Sequence, residues 1–227
     1  MHAWKPEITE VLGVFRRASN ATLLALTARG EKVIYKPTAG QQPLWDFDAS
    51  TLAAREWLTY EASETLGIGV VPETTLGSGP MGPGSIQRYV EPDLNVDLVD
   101  LVNRSDPRLW PVAVLDIVTN NADRKLGHLL PDSAGDVWAI DHGLTFHADE
   151  KHRTVLWSFA GRRVPDELMS GLHALQSGLA GDLGAALESE LDAHEADACR
   201  RRVEELLADP VHPAPPDDRP PLPWPMV

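Results

Sequence analysis

The spacing of apolar residues changes character near residue 90, and that change constrains the possible fold more than any other feature of the chain. Residues 22–27 and 32–35 are apolar, β-prone runs joined by Ala28-Arg29-Gly30-Glu31, which is the pattern of a hairpin. After a polar stretch broken by Pro and Gly, Ser50 can cap a helix running to about Leu66, with Gly67 in the place glycine favours at a helix end. Residues 68–76 lead into a turn-rich segment over 77–84, and 86–90 has the look of a buried strand. The first 90 residues therefore predict the order β-β-α-β. Beyond them, 94–102, 109–120 and 166–209 carry helical patterns, interrupted by two short strands over 129–130 and 137–140. From residue 210 the chain holds eight of its 19 prolines, a composition that predicts extended, polyproline-like or loosely docked chain.

A chain of 227 residues can bury a real core as one large domain or as two small lobes. Its 34 acidic and 20 basic residues give a formal net charge of -14, which repels polyanions and argues against nucleic acid or anionic lipid as the general partner. No stretch approaches the roughly 20 apolar residues that span a bilayer. The single cysteine, Cys199, excludes an intramolecular disulfide framework and points to a reducing compartment. The expectation is a soluble, cytoplasmic protein with no stable membrane association.

Several residues carry chemistry. Gly77-x-Gly79-x-x-Gly82 matches a dinucleotide fingerprint, but prolines at 80 and 83 interrupt it and a strand, not a helix, follows, so no helix N-terminus would meet a pyrophosphate. Lys36 ends the strand of Val33, Ile34 and Tyr35 just before Pro37, a suitable place to hold a point charge against phosphate oxygens. On the following helix Glu56 shares a largely apolar stripe with Leu52, Ala53, Tyr60, Ser63 and Leu66, whereas Glu61 and Glu64 fall elsewhere. A carboxylate on such a stripe is costly unless it meets a cation, and Lys36 is the natural one. Asn120-Asn121-Ala122-Asp123-Arg124-Lys125 breaks an apolar helix with turn-forming polar residues, and a carboxylate held there can take a proton from a hydroxyl. Eighteen residues later, Ile140-Asp141-His142-Gly143 places a second carboxylate at a strand end, and two acids joined by a short hairpin suit Mg. His128, His142, His147 and His152 show no compact zinc-ligand spacing. Pro220-Pro221-Leu222-Pro223 could dock in an aromatic groove, though a packed or disordered tail explains it as well.

The order of Tyr35-Lys36-Pro37, Arg55-Glu56, Asp123-Arg124 and Ile140-Asp141-His142-Gly143 resembles the phosphatidylinositol 3- and 4-kinase-like branch of the protein-kinase superfold, and more distantly the HipA-type kinases. More closely, the chain resembles an uncharacterised actinobacterial phosphatidylinositol-kinase-like family over about residues 12–165. The resemblance implies an α+β bilobal fold with a small β-rich N-lobe over 1–90, a mainly helical C-lobe over 91–209 and a Pro-rich tail over 210–227. It implies an ATP-dependent phosphotransferase in which Lys36 binds the ATP phosphates, Glu56 holds Lys36, Asp123 with Arg124 forms the catalytic loop, and Asp141 holds Mg. Gln87, Arg88, Tyr89 and Val90 would lie beside adenine, and Ser19 and Asn20, with Ala21 and Thr22, would replace a glycine-rich phosphate loop. His128 stands where the family has a metal-binding asparagine, and it would suit a softer ion such as Mn. Lys151, Arg153, Arg162 and Arg163 would fall in the activation segment, which suggests an anionic acceptor or else only a solvated basic loop. A nucleotide-binding pseudokinase, a nucleotidyl transferase using the same pocket, and a scaffold acting through its tail are the alternatives.

Overall fold

A computed structural model describes residues 4–15, 21–41 and 44–226. Its first part is a five-stranded antiparallel sheet of order β1-β2-β3-β5-β4, built from β1 (Ile8–Val14), β2 (Leu23–Thr27), β3 (Lys32–Pro37), β4 (Thr74–Gly79) and β5 (Gly82–Arg88). The strand β1 is absent from the sequence pattern because it is a bulged edge strand with most of its side chains in solvent, so it has no alternating apolar face. The segment over 77–84, expected as a turn, is the β4–β5 hairpin itself. Its glycines answer a packing need. A Cβ on Gly79 would come within 2.7 Å of the Tyr35 ring, and one on Gly84 would collide with the Lys36 carbonyl oxygen. The glycine fingerprint is thus the signature of two closely approaching strands.

Between β3 and β4 runs α1 (Leu52–Thr65). Asp48, not Ser50, begins it: the Asp48 carboxylate accepts from the Ser50 N–H, and a 3-10 turn over Ala49–Thr51 feeds the helix. Gly67 follows its end with φ 68°. The remaining helices are α2 (Leu98–Asn103), α3 (Trp110–Thr119), α4 (Met169–Leu179), α5 (Asp182–Glu190) and α6 (Ala193–Ala208). The helix α2 starts four residues later than its apolar run because Asp97 caps it through the Asp100 N–H. A short hairpin, β6 (Leu129–Pro131) with β7 (Val137–Ala139), follows α3.

Among the described residues two main apolar clusters of unequal size are accompanied by a third, very small one of Phe47, Leu52 and Ala122. Leu23, Ala25, Val33, Tyr35 and Ile86 form a small one against the sheet. The large one gathers α3 to α6 together with Leu58 and Ala62 of α1 and Leu66 at its end, so this helix packs on the helical half as well as on β4 and β5 of the sheet. Cys199 lies inside that core, where burial pushes its thiol up to about 11. The Pro-rich end is docked chain: His212 is buried, Val211 bridges Arg163, and the Pro221 carbonyl accepts from the Thr154 N–H and the Trp157 indole N–H. Among the described residues no helix is long and apolar enough to cross a membrane.

Candidate active site

The site forms where the end of β3, the middle of α1 and the two loops around the β6–β7 hairpin meet. Because side chains alternate along β3, Tyr35 enters the small core while Lys36 points to the other face, toward α1. Lys36 Nζ donates to Glu56 Oε1 and, at 2.8 Å, to Asp141 Oδ1. Of the α1 carboxylates Glu56 alone is buried; Glu61 accepts instead from the Trp57 indole and Glu64 faces solvent. Glu56 also uses its second oxygen, which accepts from the His142 N–H at 3.0 Å. One carboxylate therefore fixes both the lysine and the backbone beside Asp141. Burial opposes the charge on Lys36, but Asp141 and Glu56 outweigh it and raise the lysine above its ordinary range.

Asp141 has φ 63°, the left-handed conformation that is strained for a residue with a Cβ, whereas Gly143 does not need it. Gly143, two residues further on, has no positive φ, and the aspartate bears the strain itself. Its side chain is 49% exposed, which opens it to the cleft. Partial loss of its water works to raise its pKa, yet the Lys36 ammonium holds it well below the usual carboxylate range. The His128 Nε2 lies 3.3 Å from Asp141 Oδ2. Burial lowers the His128 pKa to about 4, so its ring is neutral near pH 7, and its other ring nitrogen is buried without a hydrogen-bond partner.

Asp123 sits on the loop after α3, its N–H donating to Asn121 Oδ1 at 2.9 Å and its Oδ2 lying 2.9 Å from Lys125 Nζ. Burial, aided by the Asp141 charge and opposed by Lys125, pushes its carboxyl up to about 6. Arg124 turns the other way. It is fully buried, with Nε and Nη2 each 2.8 Å from an oxygen of Asp116, Nη1 2.9 Å from the Ile140 carbonyl and Nη2 2.7 Å from His142 Nε2. Its place is to tie the Asp123 loop to the Asp141 loop from beneath, out of reach of the open cleft. Asn120, with φ 55° at the end of α3, holds the downstream segment through the His147 and Asp149 carbonyls and the Lys151 N–H.

Asn121, from the polar cluster before Asp123, supports the site, and so does Asp116, which no motif singles out. A signal existed for Asp116: a carboxylate inside the apolar run of α3, eight residues before an arginine, is costly unless paired.

Other expected residues are engaged elsewhere. Ser19 and Asn20 lie outside the described residues. The Gln87 amide donates to Thr74, and the Arg88 guanidinium pairs with Glu31 and Glu73 and lies over Trp4, so neither side chain is turned to a ligand. Tyr89 has Lys32 over its ring, and Val90 is half-buried where the chain leaves the sheet. Lys151 pairs with Asp46 at 3.2 Å and lies over the exposed Trp45 ring, while Arg162 and Arg163 flank the docked tail.

A metal at Asp141 would find few other protein ligands: among the described residues no three His, Cys, Asp or Glu side chains gather to hold an ion. One exposed carboxylate with a neutral histidine beside it fits an ion whose remaining ligands come from phosphates and water, as Mg does, and the imidazole fits Mn at least as well.

No family model matches the chain. Its fold is similar to that of the Golgi casein kinase, with a TM-score of 0.54, 13% identity, and 90% of this chain and 72% of that one covered. It is also similar to the Helicobacter pylori proinflammatory kinase CtkA, with a TM-score of 0.51, 15% identity, and 88% and 97% covered. The Golgi casein kinase with Mn/ADP bound gives the same picture at a TM-score of 0.53 and 14% identity, with 90% and 72% covered. At such identities the likeness establishes a protein-kinase-like bilobal fold, small β-rich lobe against helical lobe. In sequence the chain is 40% identical over 254 residues to Protein Rv2133c of Mycobacterium tuberculosis, an alignment that covers 95% of this chain and 91% of that one. The chain therefore belongs to the family of the Mycobacterium tuberculosis protein Rv2133c.

Proposed function

We propose that this protein is a cytoplasmic, ATP-dependent phosphotransferase, of the phosphatidylinositol-kinase-like branch, that moves the γ-phosphate to a hydroxyl of an unidentified soluble acceptor. The observation that carries the reading is the constellation of Lys36 between Glu56 and Asp141, with Asp123 paired to Lys125 on the loop after α3. In this reading residues 1–90 cover the nucleotide, 91–209 supply the reacting groups and 210–227 brace them. Lys36 binds phosphate oxygens as a permanently charged ammonium. The backbone of residues 87–90 borders adenine, with Ser19 and Asn20 over the phosphates. Asp141, with His128 beside it, holds Mg or Mn, and a metal there supplies neutralisation of charge on the phosphates. Asp123 accepts the acceptor's hydroxyl proton as its oxygen bonds to the γ-phosphorus and the bond to the departing ADP breaks. Lys125, paired with Asp123, is placed to neutralise that carboxylate or a phosphate oxygen beside it. Arg124 acts only by holding the two loops together.

The contact between His128 and Asp141 supports a second reading, a nucleotide-binding pseudokinase, since an imidazole replaces an oxygen ligand. Thermal shift and turnover together separate the two. At ATP 100 times its Kd, with Mg or Mn, stability should rise by about 2.7 kcal/mol. Asp123→Asn should abolish transfer and keep ATP affinity, whereas Asp141→Asn should weaken metal-dependent binding as well. Binding without turnover would favour the pseudokinase, and no shift with either metal would sink both readings.

A further inference from the structure

The residue before Glu56 has a role that the proposed chemistry leaves unused. Arg55 is 3% exposed, and each guanidinium nitrogen has a partner: Nε donates to Thr51 Oγ1 at 3.0 Å, Nη1 to the Thr145 carbonyl, and Nη2 to Glu195 Oε1 and Oε2 at 2.9 and 3.0 Å. Phe47 covers the guanidinium at 5.1 Å. Glu195 is also buried and lies in the first turn of α6, 140 residues further along the chain, so the pair joins the glutamate helix α1 directly to the last helix of the other lobe. A turn further along α1, Thr59 Oγ1 lies 3.1 Å from Thr145 Oγ1, which in turn donates to the His142 carbonyl. Leu58, Ala62 and Leu66 complete the attachment by packing in the large core.

Kinase activity depends on the position of the helix that carries the lysine's glutamate, and moving that helix is a means of control. Here the ion pair, the threonine ladder and the apolar face all hold α1 to the helical lobe, while Lys36 arrives from the sheet. We propose that Arg55 and Glu195 are positioning residues that lock α1 to α6, so that Glu56 stands permanently assembled against Lys36 and the His142 N–H and the site needs no activating shift of this helix. The naming of the pair as positioning residues for phosphoryl transfer rests on the function proposed above, but the lock itself does not. Breaking it leaves a buried guanidinium without its carboxylate and frees α1 to tilt, which withdraws Glu56 from Lys36.

Two measurements on the full chain test this. In hydrogen exchange of the wild-type protein, the amides of α1 should open together with those of α6 and more slowly than those of β2 and β3; α1 exchanging with the sheet would overturn the lock. Glu195→Ala is then compared with wild type by labelling with an amine-reactive ester, read at Lys36 by mass spectrometry. Withdrawing Glu56 leaves Lys36 with only Asp141 as a carboxylate partner and opens its amine to the reagent, so a severalfold rise in its labelling rate is expected. Unchanged labelling in a folded variant would overturn the proposal. If Glu195→Ala does not fold, Glu195→Gln keeps the shape and removes the charge, and the same outcomes decide. ATP added to the wild-type protein should protect Lys36. Absence of that protection would count against nucleotide binding, whereas the lock stands or falls on exchange and labelling alone.

Discussion

Replacing Asp116 with Asn tests the claim that the two carboxylate loops are joined from beneath. Asp116 and Arg124 are both fully buried, and their two contacts of 2.8 Å form a fork-to-carboxylate pair that Asn121 reinforces through Asp116 Oδ1. Nothing exposed dilutes the effect. Asn retains the shape but removes the charge and puts an NH2 donor where one oxygen accepted, so the buried guanidinium keeps one neutral amide acceptor beside the Ile140 and His128 carbonyls and the His142 ring. Removing one partner of a buried pair costs about 3–5 kcal/mol. That is a large part of the roughly 5–15 kcal/mol that holds a typical chain folded. For a chain of this size each kcal/mol moves Tm by about 2–4 °C, so Asp116→Asn should melt roughly 6–20 °C below wild type by calorimetry or circular dichroism. The double variant Asp116→Leu with Arg124→Met should recover much of the loss, because apolar groups often replace a buried ion pair at little cost. It should not recover the thermal response to ATP, since the Ile140 carbonyl and His142 no longer have the guanidinium that orients the Asp141 loop. A loss below about 1 kcal/mol in Asp116→Asn would refute the reasoning.

Two pH dependences follow from burial. The Asp123 carboxyl is held up at about 6, so kcat/KM for transfer should climb as pH rises through 6, and a profile flat between pH 5 and 7 would remove Asp123 as the base. Because the folded chain binds that proton more tightly than the unfolded chain, ionising Asp123 costs stability as pH rises, and Asp123→Asn should be at least as stable as wild type at pH 7. His152 shows the opposite sense: burial lowers it to about 4, and His212 beside it is lowered too. Unfolded histidines take up protons first, so stability should fall as pH drops from about 6.5 toward 4. His152→Phe should flatten that fall in urea titrations, and an unaltered slope would show that these rings do not report the seating of the tail.

Much of the site was legible in the sequence because its parts obey local rules. Lys36 could be placed by strand alternation and by the proline after it, Glu56 by the helical wheel, and Asp123 and Asp141 by polar turns that interrupt apolar runs. What escaped were features without a local signature. The edge strand β1 has no buried face to create a pattern, and the β4–β5 hairpin reads as a turn because its glycines answer to Tyr35 and Lys36, which lie far back along the chain. Arg124, which the family resemblance implied as a catalytic residue, faces inward because Asp116, on the helix just before it, offers a buried carboxylate that water cannot replace.

The sequence by itself determined the kind of chain this is: its two-part α+β organisation and the set of charged residues at strand, helix and loop ends. Only the tertiary structure decided which charge meets which. The pairs of Lys36 with Glu56 and Asp141, of Arg124 with Asp116 and of Arg55 with Glu195 span 20, 105, 8 and 140 residues. Periodicity records which face of an element is buried. The energy of a buried charge depends on which partner reaches it across the fold, and that is set by how the elements pack.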